Sequence, residues 1–498
     1  MNILEEEIKK YIENIEYLNS AIAEVEWDSM VMMPKKAMPY RSRVIGYLSG
    51  EAYKLQTSDE VKKFIDYLSG RKDLNDVEKG ILRNLKKNYY ITKKIPQDVY
   101  KEYVTEISNA QSVWEEAKKN NDFNMFKPHL KKIIEFKKEF IKDWGCEGKN
   151  KYDALLDLYE PGITVEKLDE VFSEVKDAII KLLKEIEKSN VKPDVAPFHK
   201  NFPKKDQEDF SMFVLGKMGF DFGAGRVDES MHPFTTNFDN KDVRITTHYY
   251  ENEFRSALFS CIHEGGHTLY EQDIPDSLKG TGLAQGVSMG VHESQSRFYE
   301  NIIGRSKEFW TYFYPEVQKR FPQFKGFSLD EFYKGINAVE PSLVRTEADE
   351  LTYSLHIVIR YEVEKEIFNG NVDVDDLPAL WNRKYKEYLG VEPQNDAEGV
   401  LQDIHWAGGD FGYFPSYALG NLYGAQFLHK MKKDIPDIMD RVSRGDLNSV
   451  HEWLKNNVHK YGSVYKPVDL IKIATGEELN AKYFIDYLNK KYKDIYKL

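Results

Sequence analysis

The stretch ALFSCIHEGGHTLYEQ, residues 257–272, sets two histidines four positions apart with a glutamate directly after the first. On an α-helix, positions i and i+4 lie one turn apart on the same face, so His263 and His267 can aim both imidazoles at one ion. Glu264 then stands beside the pair and off the ion. A base is needed there if the site hydrolyses something, because zinc lowers the pKa of a water towards ~7 and a nearby carboxylate can take the proton. A helix-forming context weighs against a chance match. Gly265 and Gly266 cost a helix roughly 1 kcal/mol each relative to Ala, so something must pass close to that turn.

The expected neighbour lies just upstream. DVRITTHYY, residues 242–250, alternates Val243, Ile245, Thr247 and Tyr249 on one side with Asp242, Arg244, Thr246, His248 and Tyr250 on the other, the pattern of a strand with one polar face. Such a strand would lie along the motif helix and edge a substrate channel. Tight helix packing without substrate is the alternative. A zinc site also needs a third protein ligand. A metzincin continuation would put Gly at 270 and a ligand at 273, but Tyr270 and Asp273 stand there, so Asp273 is a poor choice. Glu293 in GVSMGVHESQSRFYENIIG, residues 286–304, is the better one, with His292 its competitor.

Outward from the motif, the chain reads as helical. EEEIKKYIENIEYLNSAIAEVEW, SDEVKKFIDYLSG, VEKGILRNLKKNYYITKKI and QDVYKEYVTEISNAQSVWEEAKKN each repeat apolar residues at three and four, as amphipathic helices do. GITVEKLDEVFSEVKDAIIKLLKEIEKSN is another, opened by Thr164. From about residue 210 Gly and Pro become denser, and helical patterns return to 498, broken by HWAGGDFGYFPSYALGNLYGAQ at 405–426. The expectation is one mainly α domain over 1–498, with a helical part to 205, a catalytic part over 206–498, and a small β-sheet beside the metal site.

Composition narrows the function. With 31% charged and 41% hydrophobic residues the chain is globular rather than disordered. A net charge of -12 argues against broad binding to nucleic acid or an anionic membrane surface. The opening MNILEEEIKKYIENIEYL lacks a signal-peptide pattern and no run of eighteen apolar residues occurs, so a cytoplasmic protein is expected. Cys146 and Cys261 are the only cysteines, too few for a disulfide framework or a thiolate cage. Any metal here uses His and carboxylates.

Several segments, in order, resemble the signature motifs of the carboxypeptidase Taq family of metallocarboxypeptidases: HPF at 232–234, DVRIT at 242–246, HEGGH at 263–267, HESQ at 292–295 and VRTEADE at 344–350. EVEWDSMVMMP, HWAGGDFGYFPSYALGN and ATGEELNAKYFIDYL extend the resemblance over nearly the whole chain. It implies a large helical metallopeptidase fold with a deep groove. It also implies a cytosolic homodimer that releases single residues from free peptide C-termini with broad specificity, using zinc or sometimes cobalt. Carried over by motif, the ligands are His263, His267 and Glu293, and the base is Glu264. His248 departs from the pattern, where many relatives carry Arg.

Peptide hydrolysis builds negative charge on the carbonyl oxygen, so the site should offer a donor besides the metal. By resemblance to related helical metallopeptidases, His405 and Tyr417 fill this role, with Tyr413 a second choice. His232, held in an extended loop by the Pro after it, is a further candidate. A free C-terminal carboxylate is best met by a guanidinium. Arg345 leads, and Arg244 follows because Asp242 offers it a salt bridge. Glu347, Asp349 and Glu350 read either as partners for the ligating imidazoles or as a solvated face. Two other readings are a helical zinc endopeptidase or oligopeptidase, and a peptide-binding scaffold, which would not require Glu264.

Overall fold

The computed structural model describes residues 3–145 and 150–498, so Cys146 lies outside the described residues. Helices dominate, and their ends follow the local chemistry. Ser58 caps Asp59–Gly70 by accepting Val61 N–H, and Thr164 caps Val165–Glu187 by accepting Lys167 N–H; each satisfies a donor the first turn leaves free. Along Val165–Glu187 the buried residues Leu168, Val171, Phe172, Val175, Ile179, Leu182 and Ile186 recur at three and four, one apolar stripe facing inward.

The chain divides into two compact units, each built from segments on both sides of residue 205. The first comprises Met1–Thr92, Pro193–Ile336 and Tyr423–Glu478; the second comprises Lys93–Lys192, Asn337–Leu422 and Leu479–Leu498. In the second unit the helix Glu350–Asn369 is buried nearly all round and packs on Val165–Glu187. Asp349 caps it through Leu351 N and Thr352 N, and Glu350 pairs with Lys491. Glu347 is exposed. The two acids that lead into this helix therefore serve the helix itself and the partner Lys491, rather than imidazoles or a solvated face.

The first unit holds the only sheet among the described residues: β1 Gly225–Glu229, β2 Phe234–Asp239 and β3 Asp242–Thr247, in the order β1-β3-β2. β3 is central, parallel to β1 and antiparallel to β2. That position buries Val243 and Ile245 as the alternation predicts, but it also buries Thr246, whose hydroxyl bonds Ser230 and the Phe234 N–H. The strand stops at Thr247, short of Tyr250. β1 and β2 are five and six residues long and bury no residue fully, so little apolar alternation marks them.

Candidate active site

In the first unit the motif lies on the helix Phe254–Asp273, capped by the Glu253 carboxylate. Glu293 lies on a second helix, Met289–Arg297, capped by Ser288. The two glycines of the motif explain how these helices meet. A Cβ on Gly266 would fall 2.5 Å from the Gln295 carbonyl oxygen and 2.8 Å from Ser296 Cα, and one on Gly265 would fall 2.6 Å from Leu215 Cδ2. The neighbour expected there, the strand 242–250, is thus not what the glycines admit. They allow close helix packing, Gly266 against the backbone of the Glu293 helix and Gly265 against Lys204–Met218. β3 does pack along the motif helix as expected, and the strand beside Glu264 is β2.

Ligand atoms of His263, His267 and Glu293 all lie within 4.8 Å of one another. The Nε2 atoms stand 3.7 and 3.6 Å from Glu293 Oε2, near the about 3.3 Å edge of a tetrahedral site with ~2.0–2.1 Å bonds. Each imidazole is also held from behind. His263 Nδ1 meets Glu300 Oε2 at 2.8 Å; His267 Nδ1 meets His292 Nδ1 at 2.6 Å, and His292 Nε2 meets Glu271 Oε1 at 2.8 Å. Such partners fix the ring and leave Nε2 to carry the lone pair. His292, the competing ligand, is therefore an outer partner of His267. Burial drives the His267 pKa down to about 3, which keeps the ring neutral as a ligand must be. Against burial, Arg297 and the two imidazoles hold Glu293 well below the usual carboxylate range, and Arg297 with His263 holds Glu300 at about 2. These residues fit a divalent metal.

Glu264 is buried, and its Oε2 accepts the Thr235 hydroxyl at 2.6 Å. Burial raises its pKa, against the pull of His263, which suits a base. His232 is exposed on the turn after β1, its carbonyl bound by the Ser230 hydroxyl. Arg244 is forked onto Asp242 at 2.8 and 2.6 Å and lies over the Trp27 and Phe238 rings. His248 Nδ1 meets the Ser230 carbonyl at 3.0 Å.

The second unit brings His405, Tyr413, Tyr417 and Arg345 together. His405 Nε2 and Tyr417 Oη share a hydrogen bond of 3.1 Å, and the Tyr413 ring lies 5.2 Å from that of Tyr417. Burial, with Arg345 and Arg360 adding and Asp403 opposing, lowers His405 to about 4, so it is neutral at pH 7. The Arg345 guanidinium lies 4.8 Å from the centre of the Tyr417 ring. Its Nε and Nη2 meet Asp403 Oδ1 at 3.0 and 2.9 Å, while Arg360 Nε meets Oδ2 at 2.7 Å. Two guanidiniums thus share one carboxylate, so these three side chains together are net positive.

Sequence reading missed Thr235, Glu271, Arg297, Glu300 and Asp403. Arg297 and Glu300 follow Glu293 at four and seven positions, a spacing legible on a helix. Glu300 falls in a π-helical turn, Phe298–Ile303, and such turns gather at functional sites. Thr235 and Asp403 depend on folding and left no local signal.

A helical fold that sets two histidines and a glutamate around one point, with a buried carboxylate beside them, defines a metallopeptidase-type centre. The family described as Carboxypeptidase Taq (M32) metallopeptidase matches residues 7–492, and the chain belongs to it. The chain is 51% identical over 496 residues to Carboxypeptidase 1 of Bacillus subtilis (strain 168), covering 99% of each. It is 39% identical to Thermostable carboxypeptidase 1 of Thermus thermophilus, covering 96% of each. It is also similar to a solved Pyrococcus furiosus carboxypeptidase, with a TM-score of 0.96 at 38% identity over 99% of both chains. The chain is a metal-dependent carboxypeptidase, and neither the endopeptidase nor the scaffold reading is favoured.

Proposed function

We propose that this carboxypeptidase, acting as one catalytic domain over 1–498, releases single residues with broad specificity from peptides with a free C-terminus. Its metal is zinc, or cobalt in its place, held by His263, His267 and Glu293. When bound, the metal polarises the scissile carbonyl and lowers the pKa of the attacking water. Glu264 takes that water's proton, its carboxylate oriented by Thr235. His405 and Tyr417 donate to the carbonyl oxygen as charge develops there, with Tyr413 and His232 the further candidates. Arg345 pairs with the terminal carboxylate, supported by the surplus positive charge it shares with Arg360 and Asp403; Arg244, already forked onto Asp242, is the runner-up. A cytoplasmic homodimer is the assembly proposed, from the family resemblance and the scarcity of cysteine.

The observation that carries this reading is the close grouping of His263, His267 and Glu293 with buried Glu264 beside it on the same helix. The test is hydrolysis of one peptide in free-acid and amidated forms, before and after chelation, with the metal identified by elemental analysis. Free-acid cleavage abolished by chelator and restored by zinc is expected. Equal cleavage of both forms would overturn carboxylate recognition.

A further inference from the structure

Glu364, on the buried helix Glu350–Asn369, has no exposed surface. A carboxylate in that setting is costly unless donors surround it. Its Oε1 accepts the Trp406 indole N–H at 2.7 Å, and its Oε2 accepts the Gly412 N–H at 2.8 Å and the Tyr152 hydroxyl at 2.5 Å. All three partners are donors, so the ionised form satisfies the set. Burial lifts the carboxyl to about 7 while the three donors pull it down.

Two of those donors belong to one loop. Trp406 directly follows His405, and Gly412 directly precedes Tyr413, so a single side chain closes the loop 406–412 at both ends. The loop is neither helix nor strand and contains Gly408, Gly409 and Gly412. Gly412 adopts φ +89°, and a Cβ there would lie 2.6 Å from the Leu155 carbonyl oxygen. Only glycine brings that N–H to the carboxylate. Within the loop the Trp406 and Phe411 rings stack at 6.0 Å.

We propose that Glu364 is a positioning residue for the hydrolysis, clamping the loop 406–412 so that His405 is held against Tyr417. This rests on the reading of His405 and Tyr417 as carbonyl donors. In Glu364→Gln the carboxamide N–H₂ confronts a donor where an acceptor stood, and one end of the loop is released. Misplacement of a reacting group by about 1 Å costs roughly 100-fold, so kcat per metal-loaded enzyme should fall about 10- to 100-fold with KM little changed.

Trp406→Phe removes one loop donor and should reproduce that loss, and combining the two substitutions should add little, because both loosen the same clamp. Tyr152→Phe removes the donor that lies outside the loop and should keep kcat near wild type. A general loss of structure would not separate Trp406 from Tyr152, nor kcat from KM. Wild-type kcat in folded Glu364→Gln, or equal losses in Trp406→Phe and Tyr152→Phe, would overturn the clamp. If Glu364→Gln does not fold, the latter pair decides. His405→Gln and Tyr417→Phe serve as controls. Wild-type kcat in both removes the donor reading and the clamp with it, whereas losses in both without loss in the Glu364 and Trp406 variants remove the clamp alone.

Discussion

Gly266→Ala should strip the enzyme of metal while leaving its fold in place. The new methyl carbon would sit 2.5 Å from the Gln295 carbonyl oxygen, about 0.9 Å inside the 3.4 Å at which ordinary contact begins. What it meets is the backbone of the helix that carries Glu293, which cannot swing aside as a side-chain tip can. The two helices must part by most of that distance, and Glu293 moves with its helix. Metal–ligand distances tolerate only about ±0.2 Å. The expected loss in metal affinity is therefore at least about 100-fold, or ~2.7 kcal/mol. Gly265→Ala is the control, because its methyl meets Leu215 Cδ2 and Met218 Cε, the mobile ends of two side chains. It should cost about 1–3 kcal/mol of packing, partly offset by helix propensity, with metal affinity changed less than about 10-fold. Competition against a chromophoric chelator, with circular dichroism as the check on folding, reads both variants. Wild-type metal affinity and turnover in Gly266→Ala would refute the argument that this glycine sets the spacing of the ligand helices.

Glu264→Gln should retain full metal occupancy by elemental analysis and lose about 10²–10⁴-fold in kcat, the range of a general base; unchanged turnover would remove it from that role. Arg345→Ala should slow cleavage of free-acid peptides far more than that of amidated ones, measured as the ratio of their kcat/KM values, and the same ratio in Arg244→Ala tests the runner-up. Because the His405 pKa falls from 6.5 to about 4 on folding, the unfolded chain binds a proton that the folded chain does not between those values. Stability is then lost as pH falls through that window, by about 3 kcal/mol. His405→Gln should accordingly show a smaller drop in melting temperature between pH 7 and 4.5 than the wild type; an equal drop would mean that His405 does not carry this linkage.

What could be read before folding depended on whether the relevant geometry was local. The pairing of His263 with His267 follows from the helical period alone, and Glu293 could be preferred because the glycine-containing entry of a second helix could bring its first turn beside the first. The two glycines were legible as anomalous but were assigned one common neighbour. Successive helical residues point about 100° apart, so adjacent glycines cannot both face one strand. Each admits a different helix, and the 100° step already required two partners. β1 and β2 went unread because short edge strands with no fully buried residue carry little apolar alternation.

Arg345 shows the limit more sharply. Its guanidinium could be proposed from sequence for the substrate carboxylate, but its pairing with Asp403 was not legible, and a salt bridge taken alone would argue against substrate binding, as it does for Arg244 on Asp242. The difference lies in a third residue. Arg360, fully buried, draws on the same Asp403 carboxylate, so one negative charge is divided between two cations in a setting where water screens little. Arg244 has its own carboxylate and little field to spare. Arg345, Arg360 and Asp403 together keep a net positive charge, which a peptide's terminal carboxylate is the right size and sign to complete.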